Sequence, residues 1–457
     1  MKYLSKFFYL QLCICIALLW TAAGCSKGTD NSREEADLNV SRKLAVVSPA
    51  FLSPEMQQRH QSSHQFTIEI AKDGAGVVYV EPVKDKFRVV HNGKPGKPYF
   101  DISELSISSD GRRLAYVAHI NDHLNKLVVD GVEGFPFGAN DNHLFTPDGK
   151  RHLSTVAKDN KKLIVIDGKV YNDYDIYDMP LISPDSGSIA FSAKKPAGDK
   201  KQFIISEITL QNKTVFDDCG EYILPSEGNA RLAVGCVEGG TNKVKVIDFT
   251  DRKVISQSEV NGTITHMKFS ADSKSLLYTV VRDKQQRYVI YNGREEKIPD
   301  GDEFMTDPAP LSEPESVGVV IGDAFKVRLY RAFQQQKKNG KEYGYISDLV
   351  SSKDGRHYAY IATKPNEFQM QIVVDGSEGP KFDRIVSPLF SPDGRFLVYR
   401  ARQAGKRFVV VSDLKGKIIR QHKEYSMVFQ TIFTPDGKSV AYGVLDGNEL
   451  WWKVEKL

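Results

Sequence analysis

"FSPDGRFLVYR", residues 390–400, decides the fold, because the chain repeats it. Close copies are "FTPDGKSVAYGV" (433–444), "FTPDGKRHLSTV" (145–156), "ISPDSGSIAFS" (182–192), "ISSDGRRLAYV" (107–117) and "SSKDGRHYAYIA" (351–362). Looser copies are "IAKDGAGVVYV" (70–80), "ILPSEGNARLAV" (223–234), "FSADSKSLLYTV" (269–280) and "LSEPESVGVV" (311–320). They recur roughly every 40 residues, the period of a propeller blade made of short strands.

The phrase has a physical grammar. Proline presets φ for a turn, Asp can cap it, and Gly accepts the left-handed conformation that follows. An apolar strand comes next, then a polar loop, then a second apolar strand closing on "VVDG" (128–131, 373–376), "VIDG" (165–168), "IYNG" (290–293) or "VHNG" (90–93). Asp-Gly and Asn-Gly are two-residue hairpin signals. A fourth strand follows, near aromatic–acid pairs such as "YFDI" (99–102) and "KFDRI" (381–385). Each unit therefore predicts four antiparallel strands, A to D, with the Ser-Pro-Asp-Gly turn between A and B. Turn geometry accounts for the repeated Asp without a metal. No long amphipathic helix is expected after residue 45.

This grammar resembles the WD40-like repeats of the TolB-type β-propeller superfamily, over roughly residues 65–457. The resemblance implies an all-β propeller of four-stranded antiparallel blades. It leaves function open, because such propellers serve as enzymes, receptors and scaffolds. TolB carries an α/β domain ahead of its propeller that is not seen here, so no partner of the Tol system is implied. About ten repeat units predict one closed ring. Two smaller propellers are the alternative, with 297–316 as the candidate boundary. The last unit ends after its third strand, at "ELWWKVEKL" (449–457). "RKLAVVSPAF" (42–51) is expected to supply the missing strand and staple the termini together.

The chain's start reads as a targeting signal. Lys2 and Lys6 precede an apolar run, 7–20, too short to span a bilayer comfortably, and Ala22-Ala23-Gly24-Cys25 follows. This resembles a bacterial lipoprotein signal, in which Cys25 is acylated and becomes the N-terminus. Ala22 stands where the usual pattern prefers Leu, and a plain secretory signal cut near Ala23 is the alternative. Residues 26–43 are polar and cannot bury enough surface to order themselves. The expected organisation is a signal peptide at 1–24, a tether at 25–44 and propeller repeats at 45–457. The expected location is the bacterial cell envelope, periplasmic or surface-exposed, with the lipid in a membrane.

Composition removes one class of partner. Lys and Arg number 62 against 58 Asp and Glu. Without Lys2 and Lys6 the count is 60 against 58, a balance that argues against nucleic acid. After processing, only Cys25, Cys219 and Cys236 remain of the five cysteines. If Leu224 faces Arg231 across the A–B turn, Cys219 falls opposite Cys236. A structural disulfide is then expected in an oxidising compartment.

The B–C and D–A loops of a propeller share one face, and this is the expected ligand face. "HINDH" (119–123) and "NDNHLF" (140–145) would put His119, Asp122, His123 and His143 there, in loops. These are metal-ligand types. Histidines in polar loops are more simply solvated, and no metal or cofactor is assigned. "NDYDIYDM" (172–179) adds Tyr174, Asp175 and Tyr177, and basic tips such as "ARQAGKR" (401–407) alternate with such clusters. Aromatic rings beside carboxylates suit sugars or peptides, and basic tips suit acidic polymers. There is no Gly-x-Ser-x-Gly elbow, phosphate loop, His-Glu-x-x-His or Cys-x-x-Cys. The expectation is a non-catalytic, lipid-anchored propeller that binds a protein or glycan. A lyase or hydrolase acting on polysaccharide is the alternative, since scattered loop residues leave no local motif.

Overall fold

The computed structural model describes residues 40–457 except 55, 57–66, 138, 159–160, 172, 195–200, 227–228, 271–272, 307, 312–315, 324–325 and 335–338. The signal, Cys25 and residues 26–39 of the tether lie outside the described residues. Among the described residues, no helix is long and apolar enough to cross a membrane.

Ten antiparallel sheets follow one another along the chain, and each is a blade. They cover residues 68–95, 101–137, 139–171, 181–217, 219–260, 263–297, 303–343, 345–382, 384–421 and 427–456. Nine have four strands. The seventh has five, because its innermost strand is broken into Glu303–Phe304 and Ala309–Pro310, both paired with Val317–Gly322. Proline cannot donate to a ladder, and Pro308 and Pro310 stand where the strand fails.

The repeated phrase is the A–B turn of each blade. Ser391 Oγ donates to Asp393 Oδ1 at 2.6 Å, and Asp393 Oδ1 accepts from Arg395 N at 3.1 Å. The loop closes where Phe396 N donates to Ser391 Oγ at 3.0 Å. The same bonds recur at Ser108–Asp110, Ser352–Asp354 and Thr434–Asp436, each with a 2.6 Å hydroxyl–carboxylate contact. The carboxylates are spent inside their own turns. The C–D hairpins match expectation equally well: Asp375 and Gly376 have φ of 47° and 83°, the two positive values of a type I′ turn.

Five residues beyond the turn glycine stands the aromatic that the repetition serves. Tyr79, Tyr116, Tyr360, Tyr399 and Tyr442 are all buried, and each enters the seam with the preceding blade. Neighbours on the same strand point the other way. Tyr399 packs toward blade 8 and Val398 toward blade 10. Both faces of a blade are covered, so its central strands read as unbroken apolar runs.

Ten apolar clusters fill ten seams, one for every pair of consecutive blades. The tenth joins the last blade to the first: Ala441, Leu450 and Trp452 pack with Ile70, Val77 and Tyr79. The ring is therefore single and closed, and among the described residues no division appears near 297–316. Closure uses the N-terminal strand Val40–Val46, which pairs antiparallel with Glu449–Lys456 as the outer strand of blade 10. The described part of that strand, from Val40, lies inside the stretch 25–44 assigned to the tether and ahead of the boundary expected at residue 45.

Cys219 and Cys236 face each other on strands A and B of blade 5 and form a disulfide. The register at the turn differs from the expected one. Leu224 pairs with Ala233, not Arg231, and an irregularity between Cys219 and Ile223 brings the cysteines back into line.

Candidate functional site

The ring has two unlike faces. The lower one carries the A–B and C–D turns, which lock to each other. Ser109 Oγ donates to Pro147 O at 3.1 Å, and Asp148 N donates to Ser186 Oγ at 3.1 Å. The upper face carries the B–C hairpins and D–A connections, with the bulged ends of the inner strands beneath.

The expected ligand-face residues divide on inspection. Asp122 and His123 are exposed in the B–C hairpin of blade 2. His119 lies at the end of strand Leu114–Asn121, half-buried, with Nε2 2.9 Å from Ser103 Oγ. His143 is not in a loop: it belongs to Ala139–Phe145, the innermost strand of blade 3. The run "ANDNHLF" pairs with His152–Lys158 despite its polarity, because tertiary pairing overrides weak strand propensity. His143 Nε2 bonds Glu104 O, and its Nδ1 lies 3.2 Å from His152 Nε2. Burial holds both rings well below the ordinary histidine range, His143 at about 4 and His152 at about 2. These are neutral groups in a seam. Among the described residues, the only group of three or more metal-ligand types whose donor atoms lie within 4.8 Å of one another is Cys219, Cys236 and Glu238, and both thiols are in the disulfide.

Tyr174, Asp175 and Tyr177 knit blade 3 to blade 4. The Tyr174 ring meets Phe191 edge-on at 5.1 Å, and Lys213 Nζ lies 4.8 Å from it. Asp175 Oδ1 accepts from Lys162 N at 3.0 Å. Tyr177 O accepts from Lys162 Nζ at 2.9 Å, and Lys201 Nζ lies 4.8 Å from its ring.

Other shifted groups are also structural. Glu133 accepts from Lys97 Nζ at 2.6 Å, Lys126 Nζ at 2.9 Å and Tyr99 Oη at 3.0 Å, which holds it at about 2. Glu378 has the same arrangement with Lys341 (2.7 Å), Lys364 (3.1 Å) and Tyr343 (3.0 Å). A constellation present in blades 2 and 8 alike belongs to the repeat and not to a unique site. Around the axis, burial raises Glu69 to about 7 and raises Glu104 as well.

Three aromatic side chains are exposed among the described residues: Phe100 (50%), Tyr345 (51%) and Phe368 (95%). Phe100 is in the D–A connection of blades 1 and 2, Tyr345 starts strand A of blade 8, and Phe368 is in that blade's B–C loop. Of these only Phe100 was marked in the sequence, within the aromatic–acid pair "YFDI" (99–102); Tyr345 and Phe368 are isolated aromatics that carry no period.

No protein-family model matches the chain, and no curated protein matches it in sequence. Solved structures resemble it at low identity. A eukaryotic initiation factor aligns at 13% identity and a TM-score of 0.45, over 78% of this chain and 97% of that one. An oligogalacturonate lyase in complex with manganese aligns at 11% and 0.35, over 70% and 98%. TolB from Acinetobacter baumannii aligns at 14% and 0.29, over 68% and 80%.

Proposed function

We propose that this protein is a lipid-anchored β-propeller of the bacterial envelope that binds a protein or glycan partner through its upper face and performs no chemistry itself. One observation carries the reading: the three exposed aromatics all stand on that face. Exposed apolar groups among polar loops on a rigid scaffold mark interaction surfaces. The anchor rests on the Ala-Ala-Gly-Cys25 sequence, and the Cys219–Cys236 disulfide suits an oxidising compartment.

The test is a pull-down of the detergent-solubilised lipoprotein from its native envelope, read by protein mass spectrometry and glycan analysis. A stoichiometric partner that is lost with Phe368→Ala supports the reading. A partner retained equally by variants of all three aromatics contradicts it.

A hydrolytic reading has one contact in its favour, Ser103 Oγ against His119 Nε2, a nucleophile type beside a base type. It predicts turnover of an envelope polymer that Ser103→Ala abolishes. Unchanged turnover in that variant would end it.

A further inference from the structure

Blade 9 presents arginines toward blade 10 that no described carboxylate neutralises, although Arg407 Nη1 donates to the Ser426 carbonyl at 2.6 Å. Arg384, Arg402 and Arg407 are direct cross-strand neighbours on its three inner strands, Arg384 opposite Arg402 and Arg402 opposite Arg407. Side chains so placed lie about 5 Å apart on one face of the sheet, and like charges there repel. The residues one step along, Ile385, Ala401 and Phe408, pack against blade 8, which fixes the arginines on the other side. One rung deeper in the same cleft is Arg400. Its Nη1 donates to Phe429 O at 2.9 Å and its Nη2 to Ser387 Oγ at 2.9 Å, while its buried Nε has no partner among the described residues.

No described carboxylate pairs with any of the four. Asp383 accepts from Ala404 N at 2.7 Å and so holds the hairpin tip. Across the cleft, Asp446 is bound to Lys423 at 2.7 Å and Glu455 to His422 and Tyr442. Burial, and after it the neighbouring Arg402 and Arg384, lower the Arg407 pKa.

We infer that the cleft between blades 9 and 10 is a docking site for an acidic segment of a protein partner, two or more of whose carboxylates replace the missing counter-charges. Guanidinium matches carboxylate in a bidentate fork, and a row of arginines fixed on strands is a rigid template for successive acids. A protein is favoured over a polysaccharide by what surrounds the row. Arginine and aromatic residues are the types enriched at protein interfaces. Phe368 stands on the adjoining blade, two residues before Met370, whose Sδ accepts from Ile385 N at 3.4 Å beside Arg384. This inference rests on the proposed role of the upper face and names the class of its partner.

The experiment uses the mature full chain and two labelled peptides, hexaglutamate and hexaglutamine, with alginate as a polysaccharide probe. Hexaglutamate is expected to bind and to raise Tm, hexaglutamine is not, and added salt weakens the complex. Arg402→Ala and Arg407→Ala should each weaken binding about tenfold. Because they relieve repulsion, their own Tm should be unchanged or higher, which separates lost binding from lost folding. Arg356→Ala, in a lower-face turn, serves as the control and should change nothing.

Hexaglutamate that fails to bind, or binds equally well to the Arg402 and Arg407 variants, overturns the inference. So does alginate binding through the same arginines when the peptide does not bind. If the peptide fails while the envelope pull-down still yields a Phe368-dependent partner, the cleft assignment falls alone. If both fail, the reading of the upper face falls with it.

Discussion

Lys453 Nζ donates to Ser41 Oγ at 2.9 Å, joining two strands 412 residues apart in sequence. The contact is one rung of the ladder that turns a row of ten blades into a ring. The rung beside it pairs Arg42 with Trp452, and Trp452 seals the seam by lying over Gly74. A Cβ on Gly74, whose φ is +66°, would sit 2.5 Å from Trp452 Cγ. Gly74→Ala should therefore cost more than about 1 kcal/mol from backbone conformation alone, with steric displacement of Trp452 in addition. Chemical denaturation measures it, and a variant as stable as the parent would mean the seam is looser than described.

The repeated turn yields its own prediction. Asp393→Ala removes the acceptor for Ser391 Oγ and Arg395 N, and should cost about 1.5–3 kcal/mol, the range for hydrogen bonds to a charged group. Its cause can be checked by pH. Ser391, its principal partner, helps hold the Asp393 carboxyl below the usual range, so its contribution is present at neutral pH and is lost as pH falls through the lowered value. Equal losses in Asp393→Ala and parent on acidification would show that the bond contributes nothing.

Two equivalent tyrosines should respond oppositely to loss of the hydroxyl. Tyr442 Oη donates to Glu455 Oε2 at 2.6 Å, whereas Tyr399 Oη is buried with no partner among the described residues. Tyr442→Phe should destabilise by about 1–3 kcal/mol, and Tyr399→Phe should be neutral or stabilising. Matched thermal melts of the two variants decide it, and identical shifts would contradict the assignment.

Stability should depend on pH through the buried His143–His152 pair and an opposed carboxyl, Glu69. His143, held at about 4 against the ordinary 6.5, favours the fold above pH 6.5 and loses that contribution as pH falls toward 4. The loss by pH 5 is about 2 kcal/mol. Glu69, raised to about 7 from 4.5, works the other way: its contribution is full below pH 4.5 and disappears as pH rises through 7. Glu69→Gln should therefore steepen the loss of stability between pH 7 and 5, and His143→Asn should flatten it. Urea unfolding at the two pH values reads both, and parallel profiles for all three proteins would rule the assignment out.

The fold was legible because its signals are local and repeated. Ser391-Pro392-Asp393-Gly394 specifies one turn and Asp375-Gly376 another, and neither depends on distant contacts. The terminal strand was legible for a different reason: the last unit lacked a strand and the chain's start had one to give. Register was not legible at Leu224, since the irregularity after Cys219 leaves no mark in composition. The upper face was read only in part. Tyr174 and Asp175 had the right chemistry for a ligand but are engaged between blades. The arginine row hid in "ARQAGKR" because Arg402 and Arg407 meet Arg384 only after three strands pair.

The claim that everything else stands on is the single closed ring, and a cross-link tests it most directly. Ser41→Cys with Lys453→Cys places two thiols on directly opposed residues of the closing strands. Mild oxidation should link them in the folded protein. A chain then cut once in a mid-ring loop should stay together until reduced, with a Tm above that of the reduced form. A folded protein whose two cysteines remain free under the same conditions would show that the N-terminal strand does not close the ring.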